Sequence, residues 1–508
     1  MSPHAQSPAR RTEPAGAHWW QNAVLYEVFV RSFADFDGDG VGDLEGIRDR
    51  LGYLELLGVD AVRLTPFYLS PLADDGYDIA GPRAVDPVLG NLDTVRALVA
   101  EAHAAGVRVL VDVVANHTSD KHMWFAAALA AAPDSPERHR YHFRDGRGPT
   151  GELPPNNWLT DEGEPAWSRV PDGQWYLHLF GPHQPDLNWS DPDVQADFEQ
   201  TLRFWLDLGV DGVQIAAAHG MAKPRGLPDA DASGDPRFDD DGVHDVHQRI
   251  RKVLDAYPHA VSLGEIRVPD ERRFARYVRP GELHLGINFR LASTPFDADA
   301  LQSSIERCLA TVAAVGAPPA WALASHDLPR LVSRYGGGSR GVNRARAMAL
   351  VTLGLPGVVS IYHGEELGLP DADTVPPGRG SRVPIPWEGA AAPYGFSSRS
   401  RTWLPMPPDW ADHTVEAQLE DQTSMLSLYR HALELRRESP LFAGTELEWY
   451  GAPPGCFAYR RRPGGLVCAL NTSAAPVPVP RGEVLLASAP LVDGRLPADA
   501  AAWLDPRS

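Results

Sequence analysis

Short apolar runs alternate with stretches of helical period along most of the chain. Residues 23–30 form a β-branched and aromatic run, and 44–57 carry apolar positions at helical spacing. A short β-like run at 60–64 precedes an amphipathic helix over 92–105, which Gly106 is suited to cap. Residues 107–114 are a strongly apolar strand, and the alternation resumes at 213–217. It continues through a helix over 244–256, strands at 261–265, 286–291 and 358–362, and a last helix over 426–437. Apolar runs of this length bounded by turn residues read as strands buried on both faces. Their alternation with helices from 23 to about 440 predicts a closed parallel barrel, whose working residues belong at the strand C-terminal ends.

Two segments break the pattern. Residues 117–190 are rich in Pro, Gly and Trp with weak periodicity, and from about 443 the chain turns to short β-like runs separated by Pro and Gly. The expected organisation is a disordered tail at 1–18, a barrel over 19–116 and 191–442, an inserted small domain at 117–190, and a C-terminal β domain at 443–508.

Composition narrows the partners. A 508-residue chain with a net charge of −20 has no basic surplus to neutralise phosphates, which excludes nucleic acid. The 14 tryptophans offer faces for sugar rings, although most belong to the core. Cys308, Cys456 and Cys468 are too few and too widely spaced for a zinc site or a disulfide framework. The tail has no apolar signal region, and no stretch is long and apolar enough to span a membrane, so a cytoplasmic protein is expected.

Candidate chemistry begins at Asp35-Phe-Asp-Gly-Asp-Gly-Val-Gly-Asp43. Carboxylates at alternate positions of a Gly-containing loop can aim several oxygens at one hard cation. The twelfth position is Gly46 where an EF-hand has Glu, so the choice lies between another kind of cation loop and a solvated acidic turn. Farther on, Glu265 closes a buried strand, a costly place for a carboxylate unless it is paired or works.

A set of motifs in order gives these residues a context. They are Gly76-Tyr-Asp-Ile-Ala80, Asp112-Val-Val-Ala-Asn-His117, Gln184-Pro-Asp-Leu-Asn-Trp189, Asp211-Gly-Val-Gln-Ile-Ala-Ala-Ala-His-Gly-Met-Ala-Lys223, the strand ending in Glu265, Trp321-Ala-Leu-Ala-Ser-His-Asp327, Gly364-Glu-Glu-Leu-Gly368 and Gly378-Arg-Gly-Ser-Arg-Val-Pro-Ile-Pro-Trp387. Together they resemble glycoside hydrolase family 13, the α-amylase family, and most nearly its α-glucosidase and oligo-1,6-glucosidase branch. The resemblance implies a (β/α)8 TIM barrel with a small domain inserted after strand 3 and a C-terminal β-sandwich. It implies Glu265 as acid/base and Asp327 as transition-state stabiliser, with Tyr77, Asp78, His117, His326 and Arg382 holding the sugar. It also implies structural Ca²⁺ at Asp35, Asp37, Asp39, Asp43 and the Val41 carbonyl. The expected partner is an α-glucoside or small oligosaccharide.

The chain departs from the family pattern on the fourth strand. The nucleophile Asp is Ala216, and the Arg that supports it is Gln214. A retaining glycosidase needs two carboxyl groups, so ordinary hydrolysis is not expected. Two main readings follow. One is a sugar-binding pseudoenzyme, a regulator or partner of an active homologue. The other is a hydrolase or transglycosylase in which water or an anion fills the gap and Glu265 serves as acid. An unaltered retaining glucosidase comes third and requires another carboxylate to move in.

Overall fold

The computed structural model describes residues 18–231 and 235–507. The tail expected at 1–18 lies outside the described residues, apart from His18.

Eight parallel strands carry the architecture: β1 (Val24–Val28), β2 (Ala61–Leu64), β3 (Arg108–Val114), β4 (Gly212–Ala216), β5 (Val261–Glu265), β6 (Leu285–Ile287), β7 (Ala320–Ala322) and β8 (Val358–Tyr362). They pair in the order β6-β5-β4-β3-β2-β1-β8-β7, and β6 and β7 come together to round off the ring. This is the predicted barrel. Side chains alternate between its two faces. On β4, Val213 and Ile215 join the core under the helices. Leu25, Ala61, Leu110, Val261, Leu263 and Val358 fill the barrel interior. The next inward positions are polar or small: Glu27, Arg63, Asp112, Gln214, Ala216 and Glu265. Period-two alternation therefore carries these residues to the C-terminal end of the ring, where a barrel keeps its site.

Local chemistry adjusts the boundaries. The helical stretch 44–57 is two helices, Leu44–Asp49 and Leu51–Leu57, divided at Arg50, whose φ of −100° and ψ of 10° leave helical geometry. The strand expected over 286–291 stops at Ile287, and Phe289 adopts a left-handed φ of 50°. Between β3 and the helix Pro192–Leu208 lie two helices, Met123–Ala130 and Pro136–His139, and a three-stranded antiparallel sheet. Beyond the helix Met425–Glu438, the chain forms antiparallel sheets of five and two strands. Among the described residues, no helix is long and apolar enough to cross a membrane.

Candidate active site

A cavity of about 730 Å³ opens at the C-terminal end of the ring. Tyr77, His117, Ala216, Glu265, His326, Asp327 and Arg382 all line it. Beneath them lies a buried charge network. Arg63 is ion-paired with Glu27, and its Nη1 lies 3.1 Å from each oxygen of Asp112. Burial works against the Glu27 carboxylate, yet Arg63 and His326 hold its pKa below the ordinary value. For Asp112 burial wins and pushes the pKa up to about 6. Tyr77 donates to Asp112 Oδ2 at 3.0 Å, and its ring stacks on His326 at 4.9 Å. The network thus fixes the orientation of two groups that face the cavity.

His326 Nδ1 lies 2.7 Å from Glu27 Oε1, and its Nε2 is 3.4 Å from Asp327 Oδ1. Burial alone would lower its pKa, but Asp327 and Glu27 outweigh burial and raise it. Asp327 shifts the other way. Burial opposes its charge, while His326, Arg382 and Arg267 bring its pKa below the ordinary carboxylate value. Arg382 donates to Asp327 Oδ1 at 2.9 Å and to Asp75 Oδ2 at 2.7 Å, tying β7 to the loop after β2. His117 is buried; its Nε2 lies 3.1 Å from Gln184 Nε2 within the inserted segment and 3.3 Å from the Tyr77 carbonyl, which ties that segment to the loop after β2. Burial lowers the His117 pKa.

Strand β4 brings Ala216 beside Val114 of β3 and turns sharply after it, with Ala217 at a left-handed φ of 47°. Such strain in a residue bearing a Cβ is characteristic of functional sites. Gln214 lies one inward position deeper and is buried. Lys223, at the end of the same motif, points away from the cavity. Its Nζ lies 2.8 Å from Asp186 Oδ2 and 3.1 Å from Asn116 Oδ1, which binds the β4 loop to the inserted segment.

Two expected residues stand elsewhere. Asp78 is fully buried and does not line the cavity. Its carboxylate accepts from Ser70 Oγ and from the N–H groups of Ala73 and Asp74, each at 3.0 Å, so it braces its own loop. Asp74 faces the cavity instead and accepts from Gln184 Nε2 at 2.9 Å. In the acidic loop, Asp35, Asp37 and Asp39 bring ligand atoms within 4.8 Å of one another. Asp43 is not in that group. It caps the helix Leu44–Asp49 through Gly46 N at 2.7 Å and accepts from Phe36 N at 2.9 Å. Val41 N donates to Asp39 Oδ1 at 2.7 Å.

Asp74, Arg267 and His219 are among the cavity residues to which the sequence assigned no role. Asp74 lies three residues before Tyr77. Arg267 follows Glu265 by two, the spacing that keeps side chains on one face of an extended chain. His219 is buried with its Nδ1 unpartnered, and burial, reinforced by Arg267, lowers its pKa to about 4.

The comparisons with known proteins match this geometry. The trehalose-6-phosphate hydrolase of Escherichia coli (strain K12) is 34% identical over 499 residues, covering 87% of this chain and 88% of its own. The α-glucosyl transfer enzyme XgtA superposes with a TM-score of 0.85 at 33% identity, over 96% of this chain and 100% of that one. An inactive double mutant of trehalulose synthase MutB, in complex with isomaltulose, superposes at 0.86 with 29% identity, over 96% and 99%. The family model for the α-amylase catalytic domain matches residues 27–444, a span that holds every residue of the cavity and the ring from the end of β1 onward. On that match and on relatives a third identical along most of its length, the chain belongs to the α-amylase family, glycoside hydrolase family 13.

Proposed function

We propose that this protein binds a glucosyl ring or a small α-glucoside in the barrel cavity and does not hydrolyse it. The observation that carries the reading is Ala216. Retention requires an acid/base and a nucleophile about 5 Å apart across the scissile bond. Here the last inward position of β4 presents a methyl group to the cavity that holds Glu265. Glu265 is itself engaged, since its Oε1 accepts from Arg267 Nη2 at 2.9 Å. The groups that grip a sugar remain: Asp74, Tyr77, His117, His326, Asp327 and Arg382 line one space. That an inactive relative is in complex with isomaltulose supports binding that outlasts turnover. A partner such as an active homologue fits a protein of this kind. The three unpaired cysteines suit the reducing cytoplasm. Calorimetry with glucose, maltose and isomaltose tests the binding, with heat expected from at least one sugar. No heat from any of them would refute it.

The second reading draws on the same methyl. Ala216 and Glu265 border a common space, so water or a small anion beside Ala216 would attack with inversion while Glu265 serves as acid. Formate or azide accelerating release from an aryl α-glucoside would favour it.

For the acidic loop, we read the trio Asp35, Asp37 and Asp39 as a calcium site, the expected divalent ion for oxygen ligands. The donors fit. Burial, reinforced by the charges of Asp39 and Asp35, raises the Asp37 pKa, a repulsion that a divalent cation relieves. Asp43 shapes the loop from behind.

A further inference from the structure

The space between Glu265 and Asp327 is spanned by one side chain. Arg267 turns back so that its Nη2 donates to Glu265 Oε1 at 2.9 Å and lies 3.6 Å from Asp327 Oδ2. Its guanidinium carbon is 5.6 Å from the centre of the Phe289 ring, a third anchor. The other oxygen of Asp327 is taken by Arg382 at 2.9 Å. The ends of β5 and β7 are therefore joined across the cavity through a single Nη2. Any ligand oxygen that reaches Glu265 from this side must displace that nitrogen.

In a two-carboxylate glycosidase the acid/base stands at the glycosidic oxygen, where one sugar joins the next. A guanidinium bound to Glu265 therefore occupies the junction between two sugar positions. Among the residues that line the cavity, Tyr77, His117 and His326 are buried in loops after β2, β3 and β7, whereas Glu162, Arg237 and Arg379 are partly or fully exposed. We propose that Arg267 is a specificity-determining residue, which confines the cavity to a single glucosyl-type ring and disfavours a second sugar in α-linkage. The inference rests on the sugar-binding reading above and names the ligand size for that site. The Arg267 side chain is 46% exposed, so its ion pairs are partly screened and the bridge opens at modest cost. The expected discrimination is about tenfold, well short of exclusion.

Titration calorimetry of the full chain with glucose, maltose and isomaltose, on wild type, Arg267→Ala and Arg267→Gln, tests this. Wild type should bind glucose about tenfold more tightly than either disaccharide. Both variants should lower that ratio by about fivefold or more, while the glucose Kd moves by less than about threefold. An unchanged ratio in folded variants overturns the role of Arg267 and leaves the sugar-binding reading standing. Absence of glucose binding in wild type overturns the role of Arg267, and absence of binding by all three sugars overturns both. Should neither variant fold, wild type carries the test, because the ratio should shrink between about 0.05 M and about 1 M salt as the exposed bridge is screened. A constant ratio would then refute the proposal.

Discussion

Returning the missing carboxylate is the most informative perturbation of the strand-four site. The polar interior and cavity floor hold four carboxylates, Glu27, Asp112, Glu265 and Asp327, against the guanidinium groups of Arg63, Arg267 and Arg382. Ala216→Asp alone adds a further carboxylate to this group with no added cation. A like charge about 5 Å away at an effective dielectric of about 20 costs about 3 kcal/mol, or about two pK units. One such neighbour lifts a new aspartate from about 4 to about 6, and a second leaves it largely protonated at neutral pH. A protonated carboxyl group is a poor nucleophile, so the single variant should show little activity. Adding Gln214→Arg on the same inward face supplies that cation and gives the new carboxylate a partner. The double variant should release aryl alcohol from an aryl α-glucoside about a hundredfold faster than the single one, more than the two changes supply separately. Adding Arg267→Ala should raise the rate again by freeing Glu265. Initial rates at pH 7 read all three. Equal rates for the single and double variants would refute the electrostatic reasoning. A folded triple variant as inactive as the parent would place the deficit outside these three positions.

Chelator should lower the melting temperature and added Ca²⁺ restore it, since the cation relieves the repulsion among Asp35, Asp37 and Asp39; no shift would make the loop an acidic turn. Lys223→Met should cost about 3–5 kcal/mol in denaturant unfolding, because it strands the buried Asp186 carboxylate without its cation. Glu365 accepts from Tyr429 at 2.7 Å, and burial raises its pKa to about 7. An acid whose folded pKa is raised contributes stability that is complete at low pH and lost as pH climbs through about 7, here about 3 kcal/mol. Thermal melts of wild type should therefore fall from pH 5 to pH 8, and Glu365→Gln should flatten that slope.

The barrel was legible because its strands are unbroken apolar runs, and because polar residues at their C-terminal ends recur in known motifs. Glu265, His326 and Asp327 stand where strand ends had to bring them together. Ala216 was equally readable, since a methyl in a motif that otherwise fits is conspicuous. The loops were harder. Asp74 and Asp78 lie in the same short run, and only the turn through Asp75 at φ 49° and Gly76 at φ 116° decides which carboxylate meets the cavity. The motif pointed to the wrong one. Asp43 is a further ligand by the family resemblance, and what the sequence did not show is that one of its oxygens also caps the helix that begins at Leu44. Arg267 lies beyond β5, where its i+2 relation to Glu265 gives the face and not the reach of a long side chain across to Asp327. Glu27 and Arg63 were also readable in principle, as charges in the middle of apolar strands, but their pairing is a matter of barrel register.

The central claim is that the cavity holds a sugar without cleaving it. The rate of aryl α-glucoside hydrolysis by wild type, measured beside Glu265→Gln at saturating substrate, tests it most directly. The account predicts that the two proteins are indistinguishable from each other and from buffer. Turnover by wild type that Glu265→Gln abolishes would contradict it, and would mean that the chemistry proceeds past the methyl of Ala216.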